Sequence, residues 1–248
     1  MEITSVNNEL VKESAKLQQK KYRTQSGKFL LEGYKAIKEA FDCGIKIDKI
    51  FVEKSHLIEY EFAKDLIIET TEPVLKKLTT TESAPEAIAI GFQKIYDKNL
   101  LKHTKKVVLL EDIKDLGNLG TIIRSSVAFG ADAIILYGES VDIYNPKCVR
   151  ASVGNLWKLP IIHLTTIKDL EENFKEFERI ATLPRTNNLL KTFVAKQPCL
   201  VMFGSEANGL SEDLIKFSTT SVKIEMAKTV ESLNLATSVS VILYELFV

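Results

Sequence analysis

The chain has 248 residues, 45% of them hydrophobic, with 33 Lys and Arg balanced by 33 Asp and Glu. That length buries one large core or two modest ones, since domains usually run about 100–150 residues. A net charge of zero excludes a globally basic nucleic-acid binder, so any basic surface has to be local.

Along the first part of the chain, Leu10, Val11, Ala15 and Leu17 recur at helical spacing within residues 7–19. The same stretch is rich in cations: Lys12, Lys16, Lys20, Lys21, Arg23 and Lys28 face only Glu2, Glu9 and Glu13, which suits a solvated helix face and phosphate contacts about equally. Residues 28–32 read as a strand, 34–41 as a helix with Gly44 in the place of a C-terminal cap, and 47–52 as a second strand. A helix is expected over 56–63, a strand over 66–68, a helix over 73–78 with Pro73 in its first turn, and a strand over 87–92. This gives a small α/β domain over 1–92, followed by a polar linker over 93–106 with no sustained apolar period.

The unbroken run Val107-Val108-Leu109-Leu110 opens a second domain, 107–248, as a parallel strand buried on both faces. Further strands are expected at 133–136, 160–163, 180–182, 200–203 and 222–224, with helices at 119–129, 167–177, 212–217 and 234–246. The pattern predicts a mostly parallel sheet with helices on both faces, whose ligands bind beyond the carboxyl ends of the strands. Cys43, Cys148 and Cys199 are odd in number and far apart, which suits reduced thiols in a cytoplasmic protein. His56, His103 and His163 show no ligand spacing, so no metal is expected. No apolar leader follows Met1-Glu2 and no stretch reaches the roughly 20 apolar residues of a membrane span, so no membrane partner is expected either.

Three loops at the predicted strand ends combine glycine with short polar residues. In Asp115-Leu116-Gly117-Asn118-Leu119-Gly120, two glycines allow close backbone approach at a helix start, and Arg124 lies under two turns along that helix. An ordinary loop with Asn118 as helix cap and Arg124 on the surface explains the same residues. In Gly204-Ser205-Glu206-Ala207-Asn208-Gly209, the Glu206 carboxylate is framed by glycines, while Ser211 can cap the next helix with Asp213 in its first turn. In the third, Ile224-Glu225-Met226 and Ser232-Leu233-Asn234 precede the apolar terminal helix, which Ser232 or Asn234 can cap. The dinucleotide fingerprint G-x-G-x-x-G is absent.

Taken in order, Asn118-x-Gly120-x-x-x-Arg124, Gly204-x-Glu206-x-x-Gly209-Leu210 and Ser232-Leu233-Asn234 resemble the three motifs of the SpoU-type (TrmH-like) RNA 2′-O-ribose methyltransferases of the SPOUT superfamily. Phe29-Leu30-Leu31-Glu32-Gly33 is similar to the RNA substrate-binding domain often attached to them. The resemblance implies a catalytic domain with a deep trefoil knot, a homodimer, S-adenosyl-L-methionine as methyl donor, and RNA as substrate, ribosomal rather than transfer RNA. By position it implies that Gly204, Ile224, Met226 and Leu233 line the cofactor pocket. Asn118, Arg124, Glu206, Ser232 and Asn234 become the polar groups around the ribose, with Asn118 and Glu206 orienting Arg124. The family proposal makes the matching arginine a base; a guanidinium stays protonated, so a phosphate clamp is the alternative role for Arg124. Two departures stand out: Glu225 where the family usually has proline, and no glycine at Ala227 or Lys228. Glu225 favours the competing reading, an RNA-binding or ribosome-assembly factor that keeps the fold without methyl transfer, whereas the intact Arg124, Glu206 and Asn234 speak against it. A nucleotide-dependent enzyme of ordinary doubly wound fold is a third.

Overall fold

Two alternations of strand and helix organise the chain in the computed structural model, which describes residues 1–227 and 229–248. They form two units: Met1–Lys94 together with Asp142–Trp157, and Ile95–Val141 together with Lys158–Val248. Residues 142–157, expected in the second domain, therefore pack within the first. Lys228, one of the two positions lacking the family's glycine, lies outside the described residues.

The first unit contains β1 (Glu2–Ile3), α1 (Glu9–Lys16), α2 (Lys20–Ser26), β2 (Lys28–Glu32), α3 (Tyr34–Asp42), β3 (Ile47–Glu53), β4 (Ile67–Thr70), α4 (Glu72–Leu78) and β5 (Ala87–Phe92). Its sheet runs β1-β4-β3-β5-β2, with β5 antiparallel to both β3 and β2. Successive strand residues face opposite sides, so Leu30 joins Val11, Leu17, Val74 and Leu75 on one face while Phe29 and Leu31 look to the other. There Phe29 meets Tyr144 at 4.7 Å and Trp157 at 5.6 Å between ring centroids. Burial on both faces is why this segment reads as an unbroken apolar run.

One expectation fails in this unit. Residues Lys54–Leu66 form a kinked 3₁₀ segment and no α-helix, because Tyr60 is buried while Ile58 is 82% exposed, and no single apolar stripe results. The basic N-terminal stretch is mostly paired internally: Lys12 with Glu9, Lys16 with Glu13 and Lys28 with Asp48. Arg23 is 1% exposed. Its Nε and Nη2 donate to Asp142 Oδ2 at 2.8 and 2.7 Å, and Nη1 donates to the Leu17 and Gln18 carbonyls at 2.8 and 2.9 Å.

The second unit begins with the 3₁₀ turn Lys98–His103, in what reads as linker, whose Leu101 enters the core of this unit. Then follow β6 (Lys106–Glu111), α5 (Leu116–Ala128) and β7 (Ala133–Tyr137), after which α6 (Pro146–Ala151) belongs to the first unit. The remaining elements are β8 (Ile161–Leu164), α7 (Ile167–Phe174), β9 (Glu178–Thr182), β10 (Cys199–Phe203), α8 (Glu212–Phe217), β11 (Thr220–Val222) and α9 (Leu235–Phe247). The sheet runs β11-β9-β10-β6-β7-β8, and all five strand pairings among the described residues are parallel. Val107, Leu109, Leu200 and Met202 pack on Leu170, Phe174 and Leu214 of α7 and α8. The alternate positions Val108, Leu110, Val201 and Phe203 are equally buried and face the layer of α5 and α9, as period-two alternation requires.

Candidate functional site

At the carboxyl ends of β9, β10 and β11 lies a pocket of about 430 Å³, closed on one side by the first turn of α9. Gly204, Ile224, Met226 and Leu233 line it, as do Glu206, Ser232 and Asn234. Its position follows from the sheet: parallel strands end at one edge, and the loops leaving them converge there.

The loop after β10 is tightly wound. Gly209 has φ +67° and donates its N–H to the Ser205 carbonyl at 2.9 Å. Gly204 sits so close beneath it that a Cβ would lie 1.9 Å from the Gly209 carbonyl carbon. Only glycine fits there. Ser211 then caps α8, accepting from Leu214 N, and its own N–H donates to Glu111 Oε2 at 2.7 Å. Glu111, at the end of β6 and 6% exposed, thus anchors the loop, a role nothing local in the sequence distinguishes from an ordinary strand-end acid.

Three side chains from separate loops meet beside the pocket. Asn118 Nδ2 donates to Glu206 Oε1 at 2.6 Å, and Asn234 Nδ2 donates to Asn118 Oδ1 at 3.0 Å. Asn234 Oδ1 in turn accepts from Thr237 N as the cap of α9. A carboxylate at one end and a backbone donor at the other fix the orientation of both amides. Asp115, and not Asn118, caps α5: its Oδ1 accepts from Asn118 N at 2.6 Å, so Asn118 falls in the first turn with its side chain free to bridge.

Arg124 is placed differently. It is exposed on α5, does not line the pocket, and makes no hydrogen bond or ion pair among the described residues. The expected orientation of Arg124 by Asn118 and Glu206 is not what the geometry shows, since those two hold each other and Asn234. Glu225 also stands apart, exposed beside a separate hollow of about 230 Å³ shared with Leu190, Lys191 and Glu245. Sequence reasoning missed Thr182, Leu183 and Pro184, which line the pocket from the end of β9; their place at a parallel strand's carboxyl end was the available signal.

Residues 105–244 match the model of the SpoU rRNA Methylase family, and residues 8–89 match the MRM3-like substrate binding domain. The chain is 33% identical to an uncharacterized tRNA/rRNA methyltransferase of Synechocystis, covering 98% of this chain and 92% of that one. It is 26% identical to the 23S rRNA (guanosine(2553)-2′-O)-methyltransferase of Bacillus subtilis, covering 99% and 98%. A solved structure, the AdoMet-bound rRNA methyltransferase of Sinorhizobium meliloti, superimposes with a TM-score of 0.88 at 29% identity, covering 99% of this chain and 96% of that one.

Proposed function

The chain belongs to the SpoU rRNA methylase family, and on that premise we propose that it methylates a ribose 2′-hydroxyl of ribosomal RNA with S-adenosylmethionine as donor. The observation behind this reading is the pocket at the strand ends with the Glu206–Asn118–Asn234 chain at its rim. Its walls suit the cofactor: Ile224, Met226 and Leu233 offer apolar surface to a flat base, while the tight Gly204–Gly209 turn keeps backbone polar groups close.

When bound, the cofactor would supply a sulfonium-activated methyl group for transfer to the ribose oxygen. The protein's part is to align oxygen, methyl and sulfur, worth several kcal/mol in itself. Asn118, Glu206 and Asn234 hold three loops in one geometry, leaving Glu206 Oε2 without a hydrogen bond among the described residues for the substrate. Ser232, on the pocket wall, contacts the ribose. Arg124, unpaired among the described residues, grips the phosphate beside the target ribose and stabilises the negative charge that develops on the oxygen.

The proposal extends to a cytoplasmic homodimer with a trefoil-knotted C-terminal segment. Val241 and Tyr244 on α9 and Val248 just past its end are exposed, and Tyr244 packs edge-on against Phe129 at 5.7 Å, an apolar face suited to a second copy. Threading is supported by β10, which lies between the earlier strands β6 and β9, and by α9, which packs against α5. Among the described residues no helix is long and apolar enough to cross a membrane. The test is transfer of labelled methyl from S-adenosylmethionine into total RNA from cells lacking the protein. Label in alkali-resistant dinucleotides from ribosomal RNA supports the reading; label confined to bases or to transfer RNA, or none at all, contradicts it.

A further inference from the structure

The first unit has a cavity of its own, about 400 Å³, lined by Glu32, Gly33, Tyr34, Lys35, Glu86 and Arg150 among others. That volume is in the usual range for small-ligand sites, about 300–1,000 Å³. Glu86 and Arg150 are each held at one atom and open at others. Gly33 has φ +83°, a conformation side-chain-bearing residues rarely adopt, and the resulting turn lets Tyr34 N donate to Glu86 Oε1 at 2.6 Å. The Tyr60 hydroxyl reaches the same oxygen at 3.3 Å. Glu86 Oε2 accepts no hydrogen bond among the described residues.

Arg150 answers it with open donors. Its Nη1 donates to Glu32 Oε1 at 2.8 Å and to Thr80 Oγ1 at 3.2 Å, and Glu32 Oε2 accepts from Thr79 at 2.8 Å. Nε and Nη2 have no partner among the described residues. Beside them the Tyr34 ring, 38% exposed, is braced edge-on by Tyr60 at 5.5 Å and by Phe62 at 6.3 Å. Lys35, exposed, adds a cation. Val153, also in the lining, has φ +48°, a costly conformation for a β-branched residue that its surroundings must enforce.

A ligand that satisfies all of these is flat, gives donors to the open Glu86 Oε2, which keeps two lone pairs, gives acceptors to a guanidinium and carries a phosphate. Guanine offers N1–H and the N2 amino group on one edge and O6 with N7 on the other; adenine, cytosine and uracil lack the paired donors. Recognition of single-stranded RNA commonly splays a base onto an aromatic ring and reads its edges in this way. We propose that this cavity holds one unstacked guanosine of the RNA substrate, stacked on Tyr34, with Glu86 and Arg150 reading its edges and Lys35 meeting its phosphate. The inference rests on the RNA-methyltransferase reading for its source of RNA.

The test measures binding of the full chain to three labelled short oligouridylates: one with a central guanosine, one with inosine in its place, and one of uridine alone. The expected result is guanosine binding about fivefold or more tighter than uridine, with most of that gain lost for inosine, which lacks the N2 amino group. Glu86→Gln should abolish the guanosine preference while leaving binding to uridine alone intact, and Lys35→Gln should weaken all three alike. Equal binding of the three by the unaltered protein, or a preference that survives Glu86→Gln, overturns the inference; the base exchange decides the matter even if the variant fails to fold. Binding of S-adenosylmethionine and methyl transfer are read separately. Loss of the guanosine preference with methyl transfer intact sinks this inference alone, and the reverse sinks the methyltransferase reading alone.

Discussion

Arg23 and Arg124 both stand out in the sequence, one in a basic stretch and one in a motif, and the structure treats them oppositely. Arg23 is buried in the first unit, where a carboxylate and two carbonyls occupy Nε, Nη1 and Nη2. Arg124 is exposed in the second unit with no partner among the described residues. A guanidinium whose nitrogens are all engaged has little left to offer a ligand, whereas an unpaired one keeps its full fork for phosphate. Charge count cannot make that distinction, because it depends on which groups the fold brings within 3 Å.

The contrast predicts different readouts for different substitutions. The largest effect is expected from Gly204→Ala, whose Cβ would overlap the Gly209 backbone: S-adenosylmethionine binding, followed by calorimetry, should be lost. Arg23→Ala strands Asp142 beside the core and should cost about 3–5 kcal/mol in denaturant unfolding. Arg124→Ala should leave that stability within about 0.5 kcal/mol, yet slow methyl transfer about 10²–10³-fold. A matching loss of stability in both arginine variants would dissolve the comparison.

Smaller effects sharpen it. Asn118→Ala removes two hydrogen bonds at the pocket rim and should lower kcat/KM for methyl transfer about tenfold, near the 1.4 kcal/mol that such bonds contribute. Thiol labelling of the native protein at pH 8 should find Cys43 first. Burial pushes the Cys148 thiol up to about 12 and Cys199 up to about 11, so both stay protonated and covered, and labelling of either before unfolding would contradict their placement.

Much of the second unit was legible because its strands are buried on both faces and therefore read as continuous apolar runs, as at Val107–Leu110. Helix starts were less so: Asp115 and Asn118 are both good caps three residues apart, and only the hydrogen bond from Asn118 N to Asp115 decides between them. The return of residues 142–157 to the first unit was invisible, since the Arg23–Asp142 and Glu32–Arg150 pairs join positions more than a hundred residues apart. The same is true of Asn118, Glu206 and Asn234, whose meeting follows from sheet order and not from spacing. Resemblance supplied their grouping; the Glu111 anchor of the Gly204 loop had no local signature.

The most direct test of this account is the rate of 2′-O-methyl transfer by Arg124→Lys and Arg124→Ala at saturating S-adenosylmethionine, read as alkali-resistant dinucleotides, with cofactor affinity measured on the same samples. A phosphate clamp outside the cofactor pocket predicts unchanged cofactor affinity in both variants, a loss of rate in Ala, and only partial recovery in Lys, which lacks the planar fork. Wild-type rates in both, or weakened cofactor binding as the source of the defect, would contradict it.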